Sequence, residues 1–385
     1  MARAPATFSR KDQLFNADTL GQLGGEYARA LPGFDGAAFA AEALSGVPER
    51  SLLACLDWFA DCLEPYLAAD FPTMAAQLEA AMPPALDPSK QDDDFGHFLH
   101  ALPGVLAVRH GLHDHRDRAL DLLYAATQRF SMEFYIRPFL DLWPDTTWAR
   151  LERWARDDNY HVRRLVSEGT RPSLPWAGRI ELAPGAAMPL LDSLHGDRTR
   201  YVTRSVANHL NDIAKTHPAT VLSALQRWAA AQDQTAKELD WMARHSLRTL
   251  VKDGHAGAMA HLGYDAKAPV EVSVTMDAPD ARIGAALDFD VTLSAAARTP
   301  VIVDYRIRFA RPGGRSGEKV FKLKTATLTA GAPLTLRKSH KLKAAATTFE
   351  LHPGPHTLII QVNGADRAEI PFALLPALLA GAGRG

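Results

Sequence analysis

Along residues 18–44 (DTLGQLGGEYARALPGFDGAAFAAEAL) and 218–232 (PATVLSALQRWAAAQ), apolar residues return every three to four positions, with Asp, Pro and Gly as punctuation. That period places them on one face of an α-helix. Past residue 265 the period becomes two, in VEVSVTM (270–276), LDFDVTL (287–293), VIVDYRIRF (301–309), VFKLKTATL (320–328), LTLRKSHKL (334–342), HTLIIQV (356–362) and AEIPFAL (368–374). Turn clusters such as PGGRSG and HPGPH separate these runs. Seven short alternating strands predict a β-sandwich of immunoglobulin type, without the cysteine pair of antibody domains. The expected fold is mostly α: a helical domain over 1–264, a linker at 265–269 (DAKAP), a β-sandwich over 270–375 and a flexible tail at 376–385.

The helical part repeats. On an offset of 40 residues, Leu151, Asp157, Val162, Arg164 and Glu168 fall on Leu191, Asp197, Val202, Arg204 and Asn208. A further step carries the last three onto Met242, Arg244 and Arg248. Helix, Asp-containing turn and second helix at this period predict HEAT- or armadillo-like pairs stacked into a solenoid. Stacking would align Arg164, Arg204 and Arg244 in one row and Glu168, Asn208 and Arg248 in the next, with Asp212 and Lys252 extending the stripes. On charge alone such stripes are equally solvated faces or inter-repeat salt bridges.

Composition changes this picture little. The chain has 385 residues, an apolar fraction of 47% and a charged fraction of 23%, as expected of a globular protein with two domains. A net charge of −1 gives no global signal for nucleic acid or membrane, so any electrostatic footprint must be local. No apolar run reaches the roughly 20 residues of a membrane-spanning helix, and a cytoplasmic monomer is expected. Cys55 and Cys62 lie seven apart in an apolar run and are expected as reduced core thiols. His97, His100, His110, His113 and His115 match no closed metal site, so neither metal nor cofactor is expected. GQLGGE (21–26) lacks the lysine and preceding strand of a phosphate loop and is read as a helix interrupted by glycines.

FSMEFYIRPFL (130–140), SEGTRPSLPWA (167–177) and SVANHLNDIAKTHP (205–218) resemble the HEAT-like-repeat alkylpurine DNA glycosylases of the AlkC branch. KDQLFN (11–16), FDGAAFAAEAL (34–44) and VFKLKTATL (320–328) are similar to it too, so the resemblance covers nearly the whole chain. It implies an enzyme that removes cationic N-alkylated bases, such as 3-methyladenine and 3-methylcytosine, from double-stranded DNA without full base flipping. One departure is Thr216-His217 after Lys215, where the branch commonly has Lys-Asp-His; this puts a backbone contact in doubt.

The chemistry suits the residue types. A cationic base is already a good leaving group, and its departure leaves an oxocarbenium-like sugar. The enzyme then needs anions near the developing cation and a held water. Glu168, in the SEGTRP position, and Asp212, in the HLND position, are the carboxylates the resemblance selects, with Glu133 a third. Trp176, on a proline-bounded loop outside the helical period, is expected to lie against sugar or base. Arg171 is placed to touch phosphate or orient a carboxylate. Arg164, Arg204, Asn208, Lys215, Arg244 and Arg248 are expected along the DNA backbone, and Arg163 beside them. No lysine stands out as a Schiff-base nucleophile, so a monofunctional enzyme is expected.

Residues 301–345 carry eleven Lys and Arg, and Arg311 and Arg315 in the Arg-Pro-Gly-Gly-Arg loop are the expected groove probe of a second DNA clamp. A solvated sheet face with lysine-guarded edges reads the same residues without DNA. The alternative to a glycosylase is a non-catalytic protein that binds DNA structure or damage with the same cradle.

Overall fold

The computed structural model describes residues 10–90, 92, 94–183, 185–311, 316–344 and 350–377. The chain divides into two compact units, Met1–Ser246 and Leu247–Gly385. The first is helical. Several of its helices start at caps the sequence supplies: Asn16 accepts from the amides of Asp18 and Thr19, Asp35 from Ala37 and Ala38, and Asn159 from His161. The helix Ala17–Ala30 runs unbroken through Gly21, Gly24 and Gly25, so the glycines do not interrupt it. Gly24 instead lets a neighbour in. A Cβ there would stand 2.3 Å from the carbonyl oxygen of Gly36, at the start of the helix Gly36–Ser45. Gly24→Ala is therefore expected to destabilise the fold by about 1–3 kcal/mol through forced separation of the two helices. Gly25→Ala, whose Cβ meets nothing within 4 Å, should be neutral or stabilising. Thermal denaturation of the two variants checks this.

The repeat is visible as consecutive helix pairs: Pro144–Trp154 with Tyr160–Gly169, Met188–Leu194 with Arg200–Ala214, and Pro218–Ala231 with Ala236–Ser246. The turn aspartates do equivalent work. Asp157 Oδ1 accepts the amide of Asn159 and Asp197 Oδ1 that of Thr199, each at 2.8 Å. Arg163 joins successive pairs. It donates to the Asp157 and Asp158 carbonyls and to both oxygens of Asp197, and it is buried, so it does not track phosphates. The Arg244–Arg248–Lys252 stripe is not one helix. Leu247, fully buried at φ −92° and ψ 3°, ends the run, and Arg248 opens a separate five-residue helix in the second unit. Cys55 and Cys62 are both buried and free on the helix Leu52–Leu63. His100 pairs with Glu26 at 3.0 Å, His110 with Glu64 at 2.9 Å, and His115 stacks on Phe71.

Among the described residues, the second unit follows two short helices, Arg248–Lys252 and Ala256–His261, with a sandwich of eight strands: β1 (Val270–Met276), β2 (Asp280–Arg282), β3 (Ala286–Ala295), β4 (Thr299–Ala310), β5 (Ser316–Leu328), β6 (Leu334–Lys341), β7 (Gly354–Val362) and β8 (Ala365–Leu375). One sheet has the order β1-β3-β6 and the other β2-β8-β7-β4-β5. All seven expected strands are present. The eighth, β2, pairs parallel to β8 and is too short to show alternation in the sequence. Phe289, Val291, Tyr305, Ile307, Leu358 and Ile360 fill the interior. Residues 265–269 are tied to the sandwich: Asn363 donates to the Asp265 carbonyl, Arg367 to those of Ala266 and Ala268. Residues 378–385, most of the expected tail, lie outside the described residues.

Charge on this unit is more balanced than its sequence suggests. Arg306 pairs with Glu318 and Asp366, Arg308 with Glu318 and Glu369, and Arg337 with Asp277 and Asp290. Three of the eleven cations are thus committed to acids that lie outside their own sequence neighbourhood or across a strand pair. Arg311 is exposed, whereas Arg315 falls outside the described residues. Among the described residues no helix is long and apolar enough to cross a membrane.

Candidate active site

The helical unit brings the sequence-selected carboxylates into one chain of alternating charge. Arg164, on the helix Tyr160–Gly169, donates to Glu133 and lies 3.5 Å from Glu168 Oε2. Arg171, just past that helix, donates from Nη1 to Glu168 Oε1 and from Nε to Asp212 Oδ2 at 2.9 Å. Lys215 donates to the other oxygen, Asp212 Oδ1, at 2.9 Å. The order is Glu133, Arg164, Glu168, Arg171, Asp212, Lys215. Ser131 extends it at one end, donating to Glu133 and accepting from Arg164. Ser205 donates to Glu168 Oε2 at 2.6 Å from the helix Arg200–Ala214, which also carries Asp212.

Burial makes these charges strong. Glu168 is 4% exposed, and Asp212 and Arg171 are similarly covered, so little water screens them. Burial alone would raise the Glu168 carboxyl. Arg164 and Arg171, with the Ser205 hydroxyl, outweigh it and hold that carboxyl below its usual range. Both arginines are held above their ordinary values: burial opposes their charge, but Glu133 and Glu168 beside Arg164, and Glu168 and Asp212 beside Arg171, more than compensate. His209, one turn before Asp212, donates Nδ1–H to the Ser167 carbonyl and is pushed down to about 4 by burial, so it is a neutral strut. The cluster is a set of fixed anions, each already oriented by a cation or hydroxyl.

The helix ends at Gly169, three residues ahead of Pro172, because Thr170 leaves the helical region at φ −92° and ψ 3°. Gly169 lies against Ile136, where a Cβ would stand 2.5 Å from Cγ2. The following segment buries Leu174 and exposes Trp176, 64% accessible. Trp176 adopts φ 67°, a left-handed conformation that costs a bulky residue about 1 kcal/mol or more.

The remaining selected residues disperse. Arg204 pairs with Asp92 at 2.6 Å and lies near the rings of Phe95 and Tyr201. Asn208 Oδ1 meets His245 at 2.8 Å. Arg244 pairs with Asp240 on its own helix, and Arg248 belongs to the second unit. Ser205, Ser131, Arg137 and Tyr201 complete the surroundings of the cluster and escaped selection. Tyr201 lies beneath Arg164, 5.0 Å from its guanidinium. The repeat offset carried a signal for Ser205: it follows Arg204, as Leu165 follows Arg164, and replaces an apolar residue by a hydroxyl.

Residues 271–376 match the family model of the C-terminal Ig-like domain of the uncharacterised protein YhaZ. The chain is 33% identical over 262 residues to YhaZ of Bacillus subtilis (strain 168), covering 67% of this chain and 72% of YhaZ. It is also similar, at 32% identity and a TM-score of 0.80, to the solved structure of the Pseudomonas fluorescens alkylpurine DNA glycosylase AlkC bound to DNA containing an abasic site analog. That likeness covers 95% of this chain and 99% of the other. With a helical-repeat unit, an immunoglobulin-like sandwich and relatives alike across both, the chain belongs to the AlkC-type alkylpurine DNA glycosylase family of the HEAT-like repeat superfamily, together with YhaZ.

Proposed function

We propose that this protein is a monofunctional DNA glycosylase that hydrolyses the N-glycosidic bond of cationic N-alkylated bases, 3-methyladenine and 3-methylcytosine among them, in duplex DNA without full base flipping. The observation that carries this is the pair of buried carboxylates, Glu168 and Asp212, joined through Arg171 at the root of the segment that exposes Trp176. Family membership supplies the reaction class.

The bond breaks with its electron pair passing to the base, which leaves neutral. The sugar becomes an oxocarbenium-like cation, and Glu168 and Asp212 stabilise that charge. Because their own cations fix both anions beforehand, no reorganisation is needed as the charge appears. Water adds at the anomeric carbon and gives up its proton to a carboxylate, for which Glu133 serves as partner and orienter. An abasic deoxyribose remains. Trp176 lies flat against sugar or base, where cation–π attraction is worth about 0.5–2 kcal/mol. Arg164 acts chiefly as counter-ion to Glu133 and Glu168, while Arg204, Asn208, Lys215, Arg244 and Arg248 face the backbone. Arg311, exposed on the sandwich, is assigned to the DNA backbone as well. We place the protein as a monomer in the cytoplasm, acting on double-stranded DNA with no cofactor.

Lys215 is engaged with Asp212, which supports hydrolysis over a lysine-linked lyase step. On methylated duplex incubated with the protein, strand scission is expected only after alkali treatment. Scission without alkali would contradict the monofunctional assignment.

A further inference from the structure

Arg137 opens the short helix Arg137–Leu142 and is 4% exposed. A buried guanidinium ordinarily has a carboxylate partner. Among the described residues this one has none within ion-pair distance; its donors go to three backbone carbonyls. Nη1 donates to Gly169 at 3.1 Å and to Arg171 at 2.8 Å, and Nη2 to Gly178 at 2.8 Å. These are the end of the helix that carries Glu168, the residue that bridges the two carboxylates, and the far end of the loop that displays Trp176. The adjoining Ile136 fills the space that a side chain at Gly169 would need. One rigid, planar cation therefore grips both ends of a loop whose tryptophan sits at φ 67° beside a turn bond from the Ala177 amide to the Leu174 carbonyl at 3.2 Å.

We propose that Arg137 is a positioning residue for base excision: it fixes the 169–178 loop so that Trp176 and Arg171 are held in their working places, without itself touching DNA. The inference rests on the proposed role of Trp176 at the lesion. An ammonium is a poor substitute, because one nitrogen cannot span three carbonyls in this fork geometry.

The test is a double-mutant cycle on single-turnover base release at saturating methylated duplex, using the full chain. Trp176→Ala is expected to lose about tenfold, consistent with roughly 1.4 kcal/mol of stacking. Arg137→Met should lose at least as much in the wild-type background, and markedly less when Trp176 is already alanine. Equal fold-losses in both backgrounds, or a wild-type rate for Arg137→Met, would overturn the proposal. A general loss of structure would not produce that dependence on Trp176. Should Arg137→Met fail to fold, Arg137→Lys keeps the charge and stem and is expected to show the same dependence.

Amide hydrogen exchange separates this inference from the proposed function. Arg137→Lys should speed exchange within residues 169–178 and leave the Arg200–Ala214 helix protected. That holds whether or not any base is released. Unchanged exchange in the loop would sink the positioning role; a wild-type rate for Trp176→Ala with faster loop exchange would sink only the role given to Trp176.

Discussion

Glu168→Gln and Asp212→Asn are each expected to lower single-turnover base release by about 10²–10³-fold while duplex DNA is still bound with close to wild-type affinity. Each change removes a negative charge and keeps the shape, so what is lost is attraction for a cation that exists only as the glycosidic bond breaks. Affinity for the intact duplex depends mainly on cations facing phosphate and should survive. The two variants differ in stability. Glu168 is the shared counter-ion of Arg164 and Arg171, both embedded in the cluster, so its neutralisation leaves Arg164 with Glu133 alone and Arg171 with Asp212 alone. Asp212 shares Arg171 with Glu168, and its other partner, Lys215, has a side chain 44% exposed that can turn to water. Asp212→Asn is therefore the milder change to the fold, and the more informative one for chemistry. Stopped reactions analysed for free base, beside binding isotherms and melting curves, check all three statements.

Arg171→Met is expected to produce the largest loss of stability, about 3–5 kcal/mol, because it removes the buried cation shared by two carboxylates and leaves Glu168 to Arg164 and Asp212 to Lys215 alone. For a domain of this size that corresponds to a fall in melting temperature of roughly 6–20 °C. The effect depends on pH with a definite sign. In the wild type the Glu168 carboxyl is held below 4.5, so it contributes stability that is complete above that value and is lost as pH falls through the folded-state pKa. Without Arg171 one of its two cations is gone and the carboxyl moves up, with Arg164 and the Ser205 hydroxyl still opposing burial. The variant's carboxyl takes up its proton at a higher pH than the wild type's, so its deficit against wild type narrows as the pH drops toward and below 4.5. Melting curves at neutral and acid pH measure the gap; a gap that widens in acid would contradict the assignment of Arg171 as the counter-ion.

Much of the fold was legible because it rests on period. The change from three-to-four to two near residue 265 separates helices from strands, and the 40-residue offset recovers the helix pairs together with their turn aspartates, Asp157 and Asp197. What escaped was non-local. Arg164 reaches Glu133 across 31 positions and Arg171 reaches Asp212 across 41, so no local spacing announces either pair. The motif containing FSMEFYIRPF drew attention to Glu133, but nothing in the sequence tells that Arg137, four residues on, spends its donors on carbonyls 32 to 41 positions away. The basic look of residues 301–345 is offset in part for a related reason: the acids that pair with Arg306, Arg308 and Arg337 include Asp366, Glu369 and Asp277, outside that stretch. The end of the helical run at Leu247 was also hidden, since Arg244, Arg248 and Lys252 keep perfect helical spacing across the break.

The central claim is that this chain breaks a glycosidic bond, and the direct measurement is free base in solution. Wild-type protein incubated with methylated duplex DNA should release 3-methyladenine or 3-methylcytosine, identified by chromatography with mass detection, in a time course that Asp212→Asn does not reproduce. Salt-dependent binding to the same duplex with no free base released would contradict it, leaving a non-catalytic damage-binding protein whose carboxylates serve only as salt-bridge partners.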